Sequence, residues 1–226
     1  MKFTYYGHSC FLVEAGGKQL LFDPFISGNE HAKHIDIDSI PADYIFVSHG
    51  HFDHMLDVTR IAGRTGAKVL GGWELYNHFI DQGINNSHPI NPGGIFEADF
   101  GSVKAVSAVH SSSFSDGRYA GVAQGFIVKT SDGNFYYSGD TAITMDMAYI
   151  PKWATLNFAI LPIGGGLTMG VEDAMEVAGL VAVKDVIGVH YDTFGFIKIN
   201  RDETCLAFEK AGLRVHLPPI GATIDL

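Results

Sequence analysis

The alternation of apolar and polar positions divides the chain into two strand-rich portions, each followed by helices. In the first, "KFTYY", "CFLVEA" and "KQLLFDPF" are short apolar or alternating runs, and Gly16-Gly17 between the second and third reads as a two-residue hairpin turn. "DYIFVS" is a near-continuous apolar run, as expected of a strand in a sheet covered on both faces. Helical spacing then predicts a helix over "LDVTRIAGRTG", a strand "KVLGG" and a helix over "WELYNHFIDQ". Residues 84–101, rich in Asn, Pro and Gly, read as turns and short strands. The second portion opens with the strands "SVKAVSAVH", "VAQGFIVKT" and "NFYYSGD", with "SDG" at 131–133 as a turn. It continues through the strand "NFAILPIGG", the helix "VEDAMEVAGLVA", the strand "DVIGVHY", the helix "RDETCLAFEKAG" and a closing strand "LRVHLP". With no linker and no solenoid repeat, residues 1–226 read as one domain of two packed sheets with helices outside.

Composition changes this picture little. A hydrophobic fraction of 46% and a charged fraction of 18% suit a globular protein with a sizeable core. The formal net charge of −10 and the lack of any Lys/Arg-rich run speak against a nucleic-acid partner. The opening "MKFTYYGHSC" has no apolar signal segment and no run is long enough to span a bilayer, so a cytoplasmic protein without a membrane partner is expected. Cys10 and Cys205 have no metal-binding spacing and read as buried thiols in a reducing compartment.

The chemistry concentrates in "SHGHFDHM", directly after the strand "DYIFVS". Loops at strand ends are where a rigid scaffold mounts functional groups. His49, His51, Asp53 and His54 there offer imidazole and carboxylate donors but no thiolate, which suits a hydrolytic rather than a structural metal. His110, Asp140 and His190 each follow an apolar strand, so the same kind of donor recurs at strand ends along the chain. Asp140 has a competing reading as the N-cap of a helix over "TAITMDMAYI".

"SHGHFDH", followed in order by His110, "SGD" at Asp140 and "GVHY" at His190, resembles the ligand signature of the metallo-β-lactamase superfamily over nearly the whole chain. "YYGHSCFLVE", "LLFDPF", "PIGGGLTMG" and "VHYDTF" resemble, more narrowly, a family of small metal-dependent hydrolases within it, with ascorbate-phosphate lactonase-like relatives. The resemblance implies a four-layer αββα sandwich carrying two divalent ions, zinc first, with manganese, iron or nickel also tolerated. His49, His51 and His110 would hold one ion, Asp53, His54 and His190 the other, and Asp140 would bridge. It implies a metal-bound hydroxide that attacks a small anionic ester, lactone or phosphodiester, with Asp53 also taking a proton. A di-iron redox protein, which commonly carries an acidic residue at the place of His51, and a non-catalytic metal scaffold are the alternatives. Asp140 stands where the zinc β-lactamases commonly have cysteine, which speaks against antibiotic hydrolysis.

Four further residues are candidates around this centre. Asp23 would accept the free N–H of a ligand histidine, and His8 would stand near the substrate. Arg118, in "SSSFSDGRY", is a candidate anion contact, and Thr193 is a candidate pocket wall beside Phe194. The glycine-rich stretch 164–170 could offer backbone N–H groups to an anion at a helix N-terminus. Loops 26–36, 111–119 and 164–170 are expected to select the substrate, a small molecule. The sequence is compatible with a homo-oligomer. His31, His34, His78, His88 and His216 are assigned no role.

Overall fold

The computed structural model describes residues 1–226. Three antiparallel strands open it: β1 (Lys2–Gly7), β2 (Cys10–Ala15) and β3 (Lys18–Phe22). Parallel strands β4 (Tyr44–Phe46), β5 (Lys68–Gly71) and β6 (Ser87–Pro89) extend the sheet from β3. Their connections carry helices α1 (Phe52–Met55), α2 (Val58–Thr65) and α3 (Trp73–Asp81).

The second sheet repeats the plan. β7 (Ile95–Ala98), β8 (Gly101–Ser107), β9 (Gln124–Thr130) and β10 (Gly133–Tyr137) are antiparallel. β11 (Phe158–Pro162), β12 (Asp185–Val189) and β13 (Arg214–His216) then add in parallel, with α4 (Val171–Leu180) and α5 (Arg201–Lys210) in the crossovers. A last strand, β14 (Thr223–Asp225), returns to pair with β1 and gives each sheet seven strands. β14 carries no signal in the sequence: three residues in a Gly- and Pro-rich tail show no periodicity, and only the free edge of β1 makes them a strand.

The apolar faces explain the layering. Val58, Ile61 and Ala62 of α2, at i, i+3 and i+4, pack with Leu75 and Phe79 of α3 against Leu21, Ile45 and Val69. Ala174, Val177 and Ala178 of α4 join the larger core on the other side. Between the sheets lies an aromatic stack, with ring centroids of Phe11 and Phe22 at 4.8 Å and of Phe22 and Phe46 at 4.7 Å. The result is the four-layer αββα sandwich.

Two expectations need correction. Cys205 is exposed on α5, and only Cys10 is a buried thiol. The helical period at 201–210 places the residues of α5 that it buries at Thr204 and Phe208, one turn apart, and Cys205 falls just off that stripe. "SVKAVSAVH" also overruns its strand, which stops at Ser107, three residues before His110. Ala108 still donates to the Ala123 carbonyl beside β9, and the chain then bonds to the loop after β10 instead: the Val109 N–H donates to Thr141 Oγ1 and the Ala142 N–H to the Val109 carbonyl.

Candidate metal centre

The strands β3, β4, β8, β10 and β12 end at one edge of the sandwich, where the two sheets are stitched together. The Gln124 N–H donates to the Ser48 carbonyl at 3.1 Å and the His190 N–H to the His8 carbonyl at 2.9 Å. The Tyr137 hydroxyl reaches across to Asp23 Oδ2 at 2.5 Å. Onto this seam the structure brings eight side chains in overlapping sets, each with its donor atoms within 4.8 Å of one another: His49, His51 and His110; His8, Asp53, His54 and His190; and His49, His54 and Asp140. Asp140 lies between the first two sets, with Oδ2 at 3.2 Å from His54 Nε2, 2.9 Å from His190 Nε2 and 3.7 Å from His110 Nε2. It caps no helix. The 3₁₀ segment Met145–Lys152 begins later, after Thr144.

The local backbone shows how the donors are aimed. After β4 the chain passes through His49 and a bend at Gly50 to His51, whose backbone is extended, and then makes the single turn α1, so that Asp53 and His54 leave a helical turn while His51 leaves extended backbone. The sequence reading treats this stretch as a loop, because four residues are too few to show helical period. Gly50 sits where a Cβ would lie 2.2 Å from the Ala120 Cβ. The strand-end loop and the loop after His110 are thus in contact between His49 and His51. Gly50→Ala is therefore expected to cost about 1–3 kcal/mol and to lower metal occupancy, as checked by thermal unfolding and elemental analysis.

Strain collects at the same edge. His8, Asp23, His190 and Asp192 have φ of 56°, 40°, 55° and 62°, and they are four of the five non-glycine residues in the left-handed region. Such conformations persist where surrounding contacts over-determine them, and they cluster at functional sites.

Asp23 is fully buried, and its carboxylate is the acceptor on which the centre is built. Oδ1 accepts the Ser48 N–H at 2.7 Å, while Oδ2 accepts the Ser48 hydroxyl at 2.6 Å, the Tyr137 hydroxyl and His54 Nδ1–H at 2.8 Å. His54 is thereby left with Nε2 facing the other donors. His8 is also buried, in the tight turn between β1 and β2, with Nε2 3.0 Å from Asp53 Oδ2 and Nδ1 3.0 Å from Thr193 Oγ1. No sequence signal joins this triad, since Asp53 lies 45 residues from His8 and Thr193 lies 185 residues from it. Ser48 and Tyr137, which fix Asp23, likewise carry no sequence signal beyond lying next to candidate ligands.

The donors fit a cation. His54 Nε2 and Asp140 Oδ1 are buried without a hydrogen-bond partner, and His49 Nε2 and His51 Nδ1 approach to 2.9 Å. Buried polar atoms of this kind normally find partners, and lone pairs that converge instead are satisfied by a metal ion. Burial pushes the imidazoles of His49, His51 and His110 down, so at neutral pH they present lone pairs. Burial, aided by His190, lowers His8 to about 4. For Asp140, burial would raise the carboxyl, but His54 and His190 override it and hold the group ionised. Burial would likewise raise Asp53, yet the bond from His8 and the nearby His54 keep it well below the usual carboxylate range. His54 is the exception among the imidazoles: burial works against its charged form, but Asp140 and Asp23 raise it well above its ordinary value.

A cavity of about 620 Å³ opens onto the cluster, with His51, Asp53, His110, Asp140 and His190 on its floor. Its walls come from Phe52, from residues 111–117, from Leu167 and from Phe194 and Phe196. Loop 26–36 does not reach it; His31 lies in a separate groove with Thr193 and Arg201. Arg118 is not brought to the cluster either. Its guanidinium pairs with Asp116 at 2.7 Å and lines an adjoining groove with His78 and Gln82. Thr193 bonds His8 and borders the groove behind it, so it is not part of the cavity wall.

A two-sheet sandwich with histidines and aspartates gathered at one edge is the arrangement of the β-lactamase superfamily, and residues 2–190 match the model of the "Beta-lactamase superfamily domain". The chain belongs to the UPF0173 metal-dependent hydrolase family within it, being 46% identical over 226 residues to the member from Flavobacterium johnsoniae, with all of both chains covered. Among solved structures it is similar to Igni18, a metallo hydrolase from Ignicoccus hospitalis, with a TM-score of 0.88 and 31% identity over 99% of this chain and 97% of that one. An isothiocyanate hydrolase from Delia radicum gut bacteria shares the fold, with a TM-score of 0.80 at 18% identity over 100% and 99% of the two chains. No helix is long and apolar enough to cross a membrane.

Proposed function

We propose that this protein is a hydrolase of small molecules that works with two divalent ions, zinc first, on an ester, lactone or phosphodiester. The observation that carries this reading is the convergence of two donor sets, linked by Asp140, on the floor of an open cavity. His49, His51 and His110 would hold one ion, Asp53, His54 and His190 the other, with Asp140 between them. When bound, such ions make water acidic enough to act as a nucleophile near neutral pH and polarise a carbonyl or phosphoryl oxygen.

The chain's own groups supply the rest. Asp53 is ionised and faces the cavity, so it can take a proton from a water poised there. With Asp53 ionised and His8 neutral, the His8 proton belongs on Nε2, donated to Asp53 Oδ2, which leaves Nδ1 to accept from Thr193. His8 therefore fixes the direction of the Asp53 carboxylate. Asp23 does the same for His54 from the opposite side.

The test is the metal content of the purified protein together with a panel of lactones, thioesters and phosphodiesters. About two ions per chain and turnover that is lost on chelation and restored by metal are expected. A chain that takes up no metal even after supplementation would rule this function out.

A further inference from the structure

Resting on the hydrolase reading, we infer that the substrate is neutral, or charged only at the reacting group, and that its remaining part is apolar. The wall of the cavity makes the case. Four separate connections each raise an apolar side chain beside the metal donors: Phe52 from α1, Phe114 from the loop after His110, Leu167 from the 164–170 loop, and Phe194 with Phe196 from the loop after His190. Phe196 is 63% exposed, Leu167 57% and Phe52 49%, so three large apolar surfaces face water around one opening. Apolar surface gathered in this way marks a place that a ligand covers. Phe194 and Phe196 stack with ring centroids 5.7 Å apart, which presets part of the wall.

The same wall is poor in charge. No lysine or arginine lines it; its polar groups above the donors are the hydroxyls of Ser111, Ser113 and Ser115. A hydroxyl can bond a heteroatom, but it cannot neutralise a second anionic group taken out of water, which costs several kcal/mol if unpaired. Arg118, the cation expected to meet an anion, is engaged by Asp116 outside the cavity. The helix after the glycine-rich loop offers no better anchor, since Glu172 and Asp173 already occupy the first turn of α4. The expectation of an anionic substrate therefore does not survive the placement of these residues, except for charge carried at the metal centre itself.

The experiment compares γ-phenyl-γ-butyrolactone with γ-carboxy-γ-butyrolactone, and phenylacetate with succinate esters of one leaving group, on the metal-loaded protein. In parallel, calorimetry measures binding of phenylacetate against malonate. The phenyl member is expected to win by at least about tenfold in kcat/KM and in affinity. Phe196→Ser combined with Leu167→Ser, both exposed positions, is expected to erase most of that margin. An equal or reversed preference, or a margin untouched by the double variant, would overturn the inference while leaving hydrolysis intact. If metal binds but no panel member turns over, hydrolysis of these bonds fails, and the calorimetric comparison still decides the nature of the pocket.

Discussion

Asp140→Ala is expected to lower activity by more than the roughly 10–100-fold that follows loss of a ligand's outer partner, and to leave clearly less metal per chain than in the wild type. The reason lies in the position of its carboxylate. Oδ2 is close to imidazole nitrogens of both donor sets, and Oδ1 is buried with no other partner. Alanine removes the one carboxylate that lies close to both sets. His54 then loses the carboxylate that most favours positive charge at Nε2, and His190 loses its nearest neighbour at 2.9 Å. Elemental analysis and assays on the same preparations check this, with circular dichroism confirming the fold. Full metal content in the variant would show that Asp140 bridges nothing.

Asp23→Ala is expected to act mainly on stability, at about 3–5 kcal/mol, the cost of breaking a buried charged network by removing one partner. For a chain of this length that is about 10 °C in melting temperature. Four donors lose their acceptor at once: the Ser48 N–H and hydroxyl, the Tyr137 hydroxyl and His54 Nδ1–H. Backbone conformation adds to the loss, since Asp23 has φ of 40° and alanine tolerates the left-handed region less well than aspartate. Asp23→Asn separates the two effects, because asparagine tolerates the left-handed region while turning one acceptor into a donor. If Asn melts like the wild type and Ala does not, conformation matters more than acceptance. If both fall, the network is what Asp23 supplies. Either variant is expected to weaken metal affinity by about 10–100-fold through the unfixed ring of His54.

These two aspartates show how differently the site can be read from the chain. Asp140 comes just after the end of β10, and His49, His51, Asp53 and His54 share one short stretch just after β4, so their donor types and strand-end positions are visible in one dimension. The helices were legible for a similar reason: α2 and α4 repeat small apolar residues at i, i+3 and i+4 within one segment. Asp23, by contrast, looks like an ordinary turn residue before Pro24. Its importance comes from Tyr137, 114 residues away, whose hydroxyl arrives only when the sheets pack. The pairing of His8 with Asp53 and Thr193 depends on three connections meeting at one edge, and so does the ring of phenylalanines. Arg118 shows the reverse error. A cation two residues from Asp116 in sequence satisfies that neighbour, and nothing at a distance draws it to the cavity.

The seam between the sheets also bears on the order of events during folding. His49, His51, Asp53 and His54 come from the half of the fold built on the first sheet, and His110, Asp140 and His190 from the half built on the second. Neither half holds a complete set, and the bonds that aim the donors, from Tyr137 to Asp23 and from His190 to His8, form only when the halves dock. An ion could therefore not nucleate either sheet as the chain leaves the ribosome; it would report that both have already found each other. Once captured it would act as a latch, and its release would be slow for as long as the halves stay closed.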